Sequence, residues 1–194
     1  MMFIVFEGPD RSGKSGLLET VSKRLDAETT KEPGGTEVGQ QIREILLNND
    51  LDPKTETLLF AADRARHFEE KIKDHEGKLL ISDRFFESTI VNQNILQEVD
   101  SEIIRFLHWF TTGRMKPDKT YIISSEEPHG EIENEKDMGS YRESQVYIYK
   151  RLCEDNGKFN AAPYRYPIEY IDTTQGNWDE YADYLVEDIK RLWK

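Results

Sequence analysis

The stretch Gly8-Pro9-Asp10-Arg11-Ser12-Gly13-Lys14-Ser15 constrains this chain more than any other, because of what flanks it. Before it runs Phe3-Ile4-Val5-Phe6, a continuous apolar segment of the kind that forms a strand buried on both faces. After it, Leu17, Leu18, Val21 and Leu25 recur at helical spacing. A strand that ends in GxxxxGKS/T and restarts as a helix puts a glycine-rich turn at a helix N-terminus. There the missing side chains let a ligand approach the backbone, and successive N–H groups point at it. Phosphate is the ligand such a cage fits. The spacing assigns Gly8, Pro9, Asp10, Arg11, Ser12, Gly13, Lys14 and Ser15 to a triphosphate tail, with Lys14 reaching the β- and γ-phosphates and the Ser15 hydroxyl on Mg2+. Pro9 has no N–H, but it stands at the loop entry, ahead of the donors.

The alternation of strand and helix continues to the end of the chain. A short extended piece spans Thr29 to Glu32, a helix runs through Ile42, Ile45 and Leu46, and a longer one is expected from about Thr55 to His75. Leu79-Leu80-Ile81 reads as a second buried strand ending in Ser82-Asp83-Arg84, Tyr121-Ile122-Ile123 as a third, and Ile168 to Ile171 as a fourth. Helical spacing returns at Ile103, Leu107 and Phe110, and Trp178, Tyr181, Leu185, Ile189 and Leu192 mark a closing amphipathic helix. This pattern predicts an α/β fold: a mainly parallel sheet of about five strands flanked by helices in three α/β/α layers, as one domain over residues 1–194. Between Glu126 and Gly139 six acidic residues meet the single basic Lys136 without apolar periodicity. That segment, a lid candidate over 126–140, reads equally as a solvated acidic loop and as a lid that closes over ligand.

Charge narrows the partners. With 26 basic and 38 acidic side chains the net charge is −12, a surface that repels nucleic-acid polymers, so any phosphate ligand must meet a local positive site. Arg11 supplies a second cation beside Lys14, and Asp10 a carboxylate able to accept from a sugar hydroxyl. The single Cys153 cannot form an internal disulfide, and His67, His75, His108 and His129 lack metal-ligand spacing. Met1 to Phe6 lacks the features of a signal peptide, and no apolar stretch approaches the ~20 residues of a membrane span. A cytoplasmic protein without a membrane partner is the expectation.

Four ordered stretches then carry a more specific likeness. Phe6-Glu7-Gly8-Pro9-Asp10-Arg11-Ser12-Gly13-Lys14-Ser15, Lys31-Glu32-Pro33-Gly34-Gly35-Thr36, Leu59-Phe60-Ala61-Ala62-Asp63-Arg64, and Asp83-Arg84-Phe85 with Ser88 and Gln93 resemble the signatures of thymidylate kinases. The resemblance implies a P-loop NTPase fold and transfer of the γ-phosphoryl of ATP to thymidine monophosphate in dTTP synthesis, with Mg2+ as cofactor. It implies that Arg84 grips the acceptor phosphate while Asp83 helps hold the Mg2+ shell through water. Phe60 would stack on the thymine and Arg64 bond its carbonyl edge, both on one helical face. Arg43 would approach the acceptor phosphate, Thr89 read the pyrimidine edge, Asp10 bind the 3′-hydroxyl and Asn92 face the sugar. Relatives keep the arginine that neutralises the transferring group either in the lid or in the P-loop. The lid candidate has none before Arg142, so Arg11 takes that role, and Arg11, Lys14 and Arg84 form the catalytic set.

The chain departs from the family pattern at four places. Phe85 stands for a tyrosine, Lys31 for an arginine, and Asn92 for an aromatic ring that opposes a 2′-hydroxyl. Gly16 puts a poor helix former in the first helical turn, at a cost of about 1 kcal/mol. Two alternatives stand beside the leading reading: another nucleoside- or deoxynucleoside-monophosphate kinase with relaxed sugar specificity, and a nucleotide-binding protein without turnover. Relatives are homodimers, and Ile103, Ile104, Phe106, Leu107, Trp109 and Phe110 form a cluster suited either to such an interface or to the core.

Overall fold

A computed structural model of the chain describes residues 1–76, 79–129, 139–154 and 166–193. Most of the lid candidate, residues 130–138, lies outside the described residues. The expected sheet is present: β1 (Met2–Glu7), β2 (Glu28–Lys31), β3 (Leu79–Asp83), β4 (Lys119–Ser124) and β5 (Ile168–Asp172) lie in the order β2-β3-β1-β4-β5. Every described pairing is parallel.

The continuous apolar run of β1 has a direct structural cause. Phe3 and Val5 point to one face, where they join Leu80 of β3 and Ile122 of β4. Ile4 and Phe6 point to the other, with Leu79, Ile81, Tyr121 and Ile123. Both faces are roofed by helices, so no β1 position between Phe3 and Phe6 meets water. One roof is α1 (Lys14–Leu25) packed beside α7 (Trp178–Leu192), through Leu17, Val21, Ala182, Leu185 and Ile189. The other is built from the turns that follow α3 (Pro53–His67) together with α4 (Phe86–Thr89), α5 (Ser101–Thr112) and α6 (Ser140–Glu154), the last contributing Ile148, Tyr149 and Leu152. α2 (Glu37–Asn48) starts at Thr36, whose side chain accepts from Gly39 N–H at 2.9 Å, and packs on α3.

One local expectation changes. The helix expected to reach His75 keeps regular turns only to His67, then widens into π turns over Phe68–Ile72 that carry Ile72 into the core. α4 likewise continues in wide turns over Ile90–Leu96. The apolar cluster on α5 divides: Ile104 is buried, whereas Ile103, Phe106, Trp109 and Phe110 are exposed. Among the described residues no helix is long and apolar enough to cross a membrane.

The topology also fixes where a ligand can sit. From β1 the chain passes to β2 and β3 on one side, then crosses to β4 on the other, so the carboxyl end of β1 lies where the strand order reverses. The register pairs Phe6 with Asp83, so the glycine-rich loop after β1 emerges beside the Asp83-Arg84 end of β3.

Candidate active site

Two glycines shape the loop. Gly8 has φ +139°, and a Cβ there would lie 1.9 Å from the Ile123 carbonyl oxygen, so the turn closes onto the sheet only without a side chain. Gly13, at φ +81°, has the Trp178 indole against it, 2.1 Å from where a Cβ would be. Between them the backbone curves over a cavity of about 310 Å³ lined by Pro9, Asp10, Arg11, Ser12, Gly13, Lys14, Ser15, Gly16 and His129. All the loop residues expected to hold phosphate reach this cavity except Gly8, which is buried against β4. A Cβ at Gly16 meets nothing within 4 Å, and nothing in the structure explains a glycine there.

Lys14 is buried, and its Nζ donates to Asp83 Oδ1 at 2.6 Å. Burial pulls its pKa below the usual lysine value, with the Arg84 charge acting the same way and Asp83 opposing. Ser15 Oγ lies 3.4 Å from Asp83 Oδ2, which places a hydroxyl and a carboxylate oxygen side by side at the loop.

A second cavity, of about 290 Å³, brings together Asp10, Arg43, Phe60, Arg64, Arg84, Thr89 and Asn92, every residue expected on the acceptor side. Asp10 lines both cavities. Arg84 sits in the left-handed region at φ 72°. Its N–H bonds Phe6 O at 2.9 Å, and its guanidinium donates to Asp10 Oδ1 at 2.6 Å and Ser88 Oγ at 2.8 Å. Arg43 bonds the Pro33 carbonyl at 3.3 Å, over Gly34. Arg64 is buried rather than freely projecting: it donates to Glu32 at 2.8 Å, Thr89 Oγ1 at 3.1 Å and the Phe85 carbonyl at 2.6 Å. Phe85 itself turns its ring away into the core, edge-on to Phe3 and His108. Asn92 Oδ1 accepts from Tyr141 OH at 3.0 Å and Gln145 Nε2 at 2.7 Å.

Buried polar groups that sequence reasoning did not assign hold these residues in place. Glu7, wholly buried at the end of β1, accepts from the N–H groups of Phe85 at 2.7 Å and Ser88 at 3.1 Å. Its other oxygen accepts from Ser88 Oγ at 2.6 Å and Tyr149 OH at 3.1 Å, so it anchors the segment carrying Arg84. Glu32 pairs with Arg64 and with His67 Nδ1 at 2.7 Å, and His67 Nε2 meets Thr30 Oγ1 at 2.6 Å. Burial works against the Glu32 charge, but Arg64 and His67 outweigh it and hold the carboxyl below its usual range. Asp63 takes the Gly34 N–H at 3.0 Å and so ties the turn beside Arg43 to α3. The only sequence signal for Glu7, Glu32 and Asp63 was their place inside the quoted stretches.

A family model described as Thymidylate kinase matches residues 6–148. A thymidylate kinase of Lactobacillus helveticus is 38% identical over 211 aligned positions, which cover 98% of this chain and 96% of that protein. One of Malacoplasma penetrans is 39% identical over 134, in a match spanning 64% of this chain and 63% of that protein. Among solved structures, the crystal structure of thymidylate kinase from Ehrlichia chaffeensis is similar at a TM-score of 0.74 and 28% identity, covering 95% of this chain and 97% of that one.

Proposed function

The chain belongs to the thymidylate kinase family of nucleoside-monophosphate kinases, and from that premise we propose how its two cavities move the γ-phosphoryl of ATP to thymidine monophosphate. One observation carries the reading: Asp10 lines both cavities and pairs with Arg84, so a triphosphate tail in one and an acceptor phosphate in the other meet beside Arg11 and Arg84. The loop N–H groups and Lys14 hold the tail. Arg84 and Arg43 hold the acceptor phosphate, whose oxygen attacks the γ-phosphorus as the bond to the bridging oxygen of ADP breaks. The attacking oxygen is already anionic, so no general base is required, and catalysis rests on alignment and on neutralising charge. Arg11 supplies that charge in the transition state. Phe60 gives the base a plane to stack on, while Thr89 and the remaining N–H groups of Arg64 meet its polar edge. Asp10 accepts from the 3′-hydroxyl, and Asn92 faces the sugar.

Ser15 Oγ and Asp83 Oδ2, 3.4 Å apart, are hard oxygen donors of the kind Mg2+ takes, Asp83 through a water. When bound there, Mg2+ supplies neutralisation of the β- and γ-phosphate charge. The exposed apolar face of α5 supports a homodimer, and ATP supply supports a cytoplasmic setting.

A coupled assay of ADP release with ATP and Mg2+ across pyrimidine and purine monophosphates tests the proposal. Steady turnover dependent on thymidine monophosphate is expected, with Arg11→Ala lowering kcat by about 10²-fold while ATP affinity changes a few-fold. ADP release that no monophosphate stimulates would remove the kinase reading. Equal losses of kcat and ATP affinity would remove the role of Arg11.

A further inference from the structure

The phosphate loop is held by three different segments. Thr173 Oγ1, after β5, donates to the Ser12 carbonyl at 2.8 Å; the His129 N–H, after β4, donates to the Arg11 carbonyl at 2.8 Å; and Arg142 Nε, on α6, reaches the Asp10 carbonyl at 3.4 Å. In a trans peptide the carbonyl of one residue and the N–H of the next point in opposite directions. Drawing the carbonyls of Asp10 and Ser12 toward Arg142 and Thr173, neither of which lines the cavity, therefore turns the N–H groups of Arg11 and Gly13 the other way, toward the cavity that their residues line. Without such partners each peptide plane is free to rotate, and the donors lose their common aim.

Arg142 differs from the other two in carrying a full charge. The residue is 4% exposed, and its remaining bonds go to Glu126 O at 2.7 Å, Ser125 O at 2.9 Å and Ser125 Oγ at 3.2 Å. No carboxylate lies within ion-pair distance of it among the described residues; backbone carbonyls and the Ser125 hydroxyl meet the guanidinium, and Glu127 and Asp10 act on it only from further off. Burying a charge on those terms is costly. What it supplies is a fork that locks the segment after β4 to the loop, and positive potential behind the Asp10 peptide. The neighbouring Tyr141 and, one turn on, Gln145 bond Asn92 in the wall of the second cavity. One end of α6 thus touches both the loop and the acceptor wall.

We propose that Arg142 is a positioning residue for phosphoryl transfer: it aims the loop donors at the triphosphate and, through α6, ties that loop to the acceptor wall. The inference rests on the reading that the loop binds ATP as donor.

The test compares the full chain with Arg142→Gln and Arg142→Lys, measuring ADP–Mg2+ binding by calorimetry, then KM for each substrate and kcat. For Arg142→Gln, ADP affinity should fall at least tenfold and kcat/KM for ATP at least thirtyfold, with KM for thymidine monophosphate within threefold. Arg142→Lys keeps the charge but not the fork, and should recover part of both losses. A purely structural role would lower the melting temperature while leaving ADP affinity of the folded protein unchanged, and that result overturns the proposal. So does a glutamine variant as active as the lysine variant. If Arg142→Gln does not fold, Arg142→Lys decides: ADP affinity and kcat/KM for ATP within twofold of the parent overturn it, and a larger loss supports it. A parent that binds ADP but never phosphorylates a monophosphate would defeat the kinase reading, and the ADP-binding comparison would still decide the role of Arg142.

Discussion

Asp63 offers a quantitative check on the interior that supports the acceptor cavity. It is fully buried on α3; Oδ1 accepts the Gly34 N–H at 3.0 Å, and Oδ2 has no partner among the described residues. Removal from water, and then the negative charge of Glu32, push its pKa from 3.8 up to about 6, against the pull of Gly34, His67 and Arg64. The folded protein therefore binds this proton more tightly than the unfolded chain does. The resulting stability is fully present below pH 3.8 and is lost as pH rises through about 6. At about 1.4 kcal/mol per pH unit, the interval from 3.8 to about 6 corresponds to about 3 kcal/mol. Asp63→Asn keeps an oxygen for Gly34 and cannot ionise, so it escapes the loss. Urea unfolding of parent and variant, followed by tryptophan fluorescence from acid to mildly alkaline pH, should show their stability difference moving by about 3 kcal/mol in the variant's favour. Groups that titrate alike in both proteins cancel in that difference. A difference that does not change with pH would refute the reasoning and mean that water or a relaxed backbone reaches the carboxyl.

Two further outcomes follow from the walls and the surface. Because Asn92 Oδ1 is already occupied by Tyr141 and Gln145, its Nδ2 is the group left to donate to a sugar hydroxyl, where the family pattern places an excluding ring. Thymidine monophosphate and its ribo counterpart should therefore differ less than tenfold in kcat/KM, and a preference above a hundredfold for the deoxy sugar would sink the idea. The second concerns α5, whose Phe110 is 72% exposed beside Phe106 and Trp109. Light scattering should find the parent a dimer and Phe110→Glu a monomer, and a parent of 22.7 kDa in solution would exclude the dimer.

The sheet was legible because strands buried on both faces write unbroken apolar runs, as in Phe3–Phe6, Leu79–Ile81 and Tyr121–Ile123. β2 was nearly silent: it is an edge strand of Glu28, Thr29, Thr30 and Lys31, mostly exposed, so it carries no apolar signal. α6 escaped for a different reason. Two of its five buried residues are Arg142 and Gln145, set alongside Ile148, Tyr149 and Leu152, and apolar periodicity cannot register a guanidinium turned inward. On α5 the apolar pattern does not mark the buried face. Besides Ile104, the buried positions are His108, Thr111 and Thr112, while the larger apolar side chains face out. The fold tolerates this because Thr111 and Thr112 bond carbonyls one turn back. His108 meets Met115 O, and burial drives its pKa down to about 3, so it is neutral.

The same distinction runs through the site. Residues that face a ligand are typed by the ligand: phosphate calls for glycine, lysine and arginine at a strand end, and those positions stand out in a single sequence. Residues that hold them are typed by what is left unpaired once the chain folds. Glu7 shows the difference. Read along the chain it is a charge closing an apolar run, the usual sign of a strand surfacing into water. Only the parallel pairing of β1 with β3, Phe6 opposite Asp83, brings the N–H groups of Phe85 and Ser88 down onto it. Those donors, one buried and one half-buried, have no strand to pair with and need an acceptor that is itself out of water. A carboxylate there answers both needs and leaves the Arg84 guanidinium turned to Asp10 and the cavity. Its cause therefore lies 78 residues away, in a register that no local pattern records.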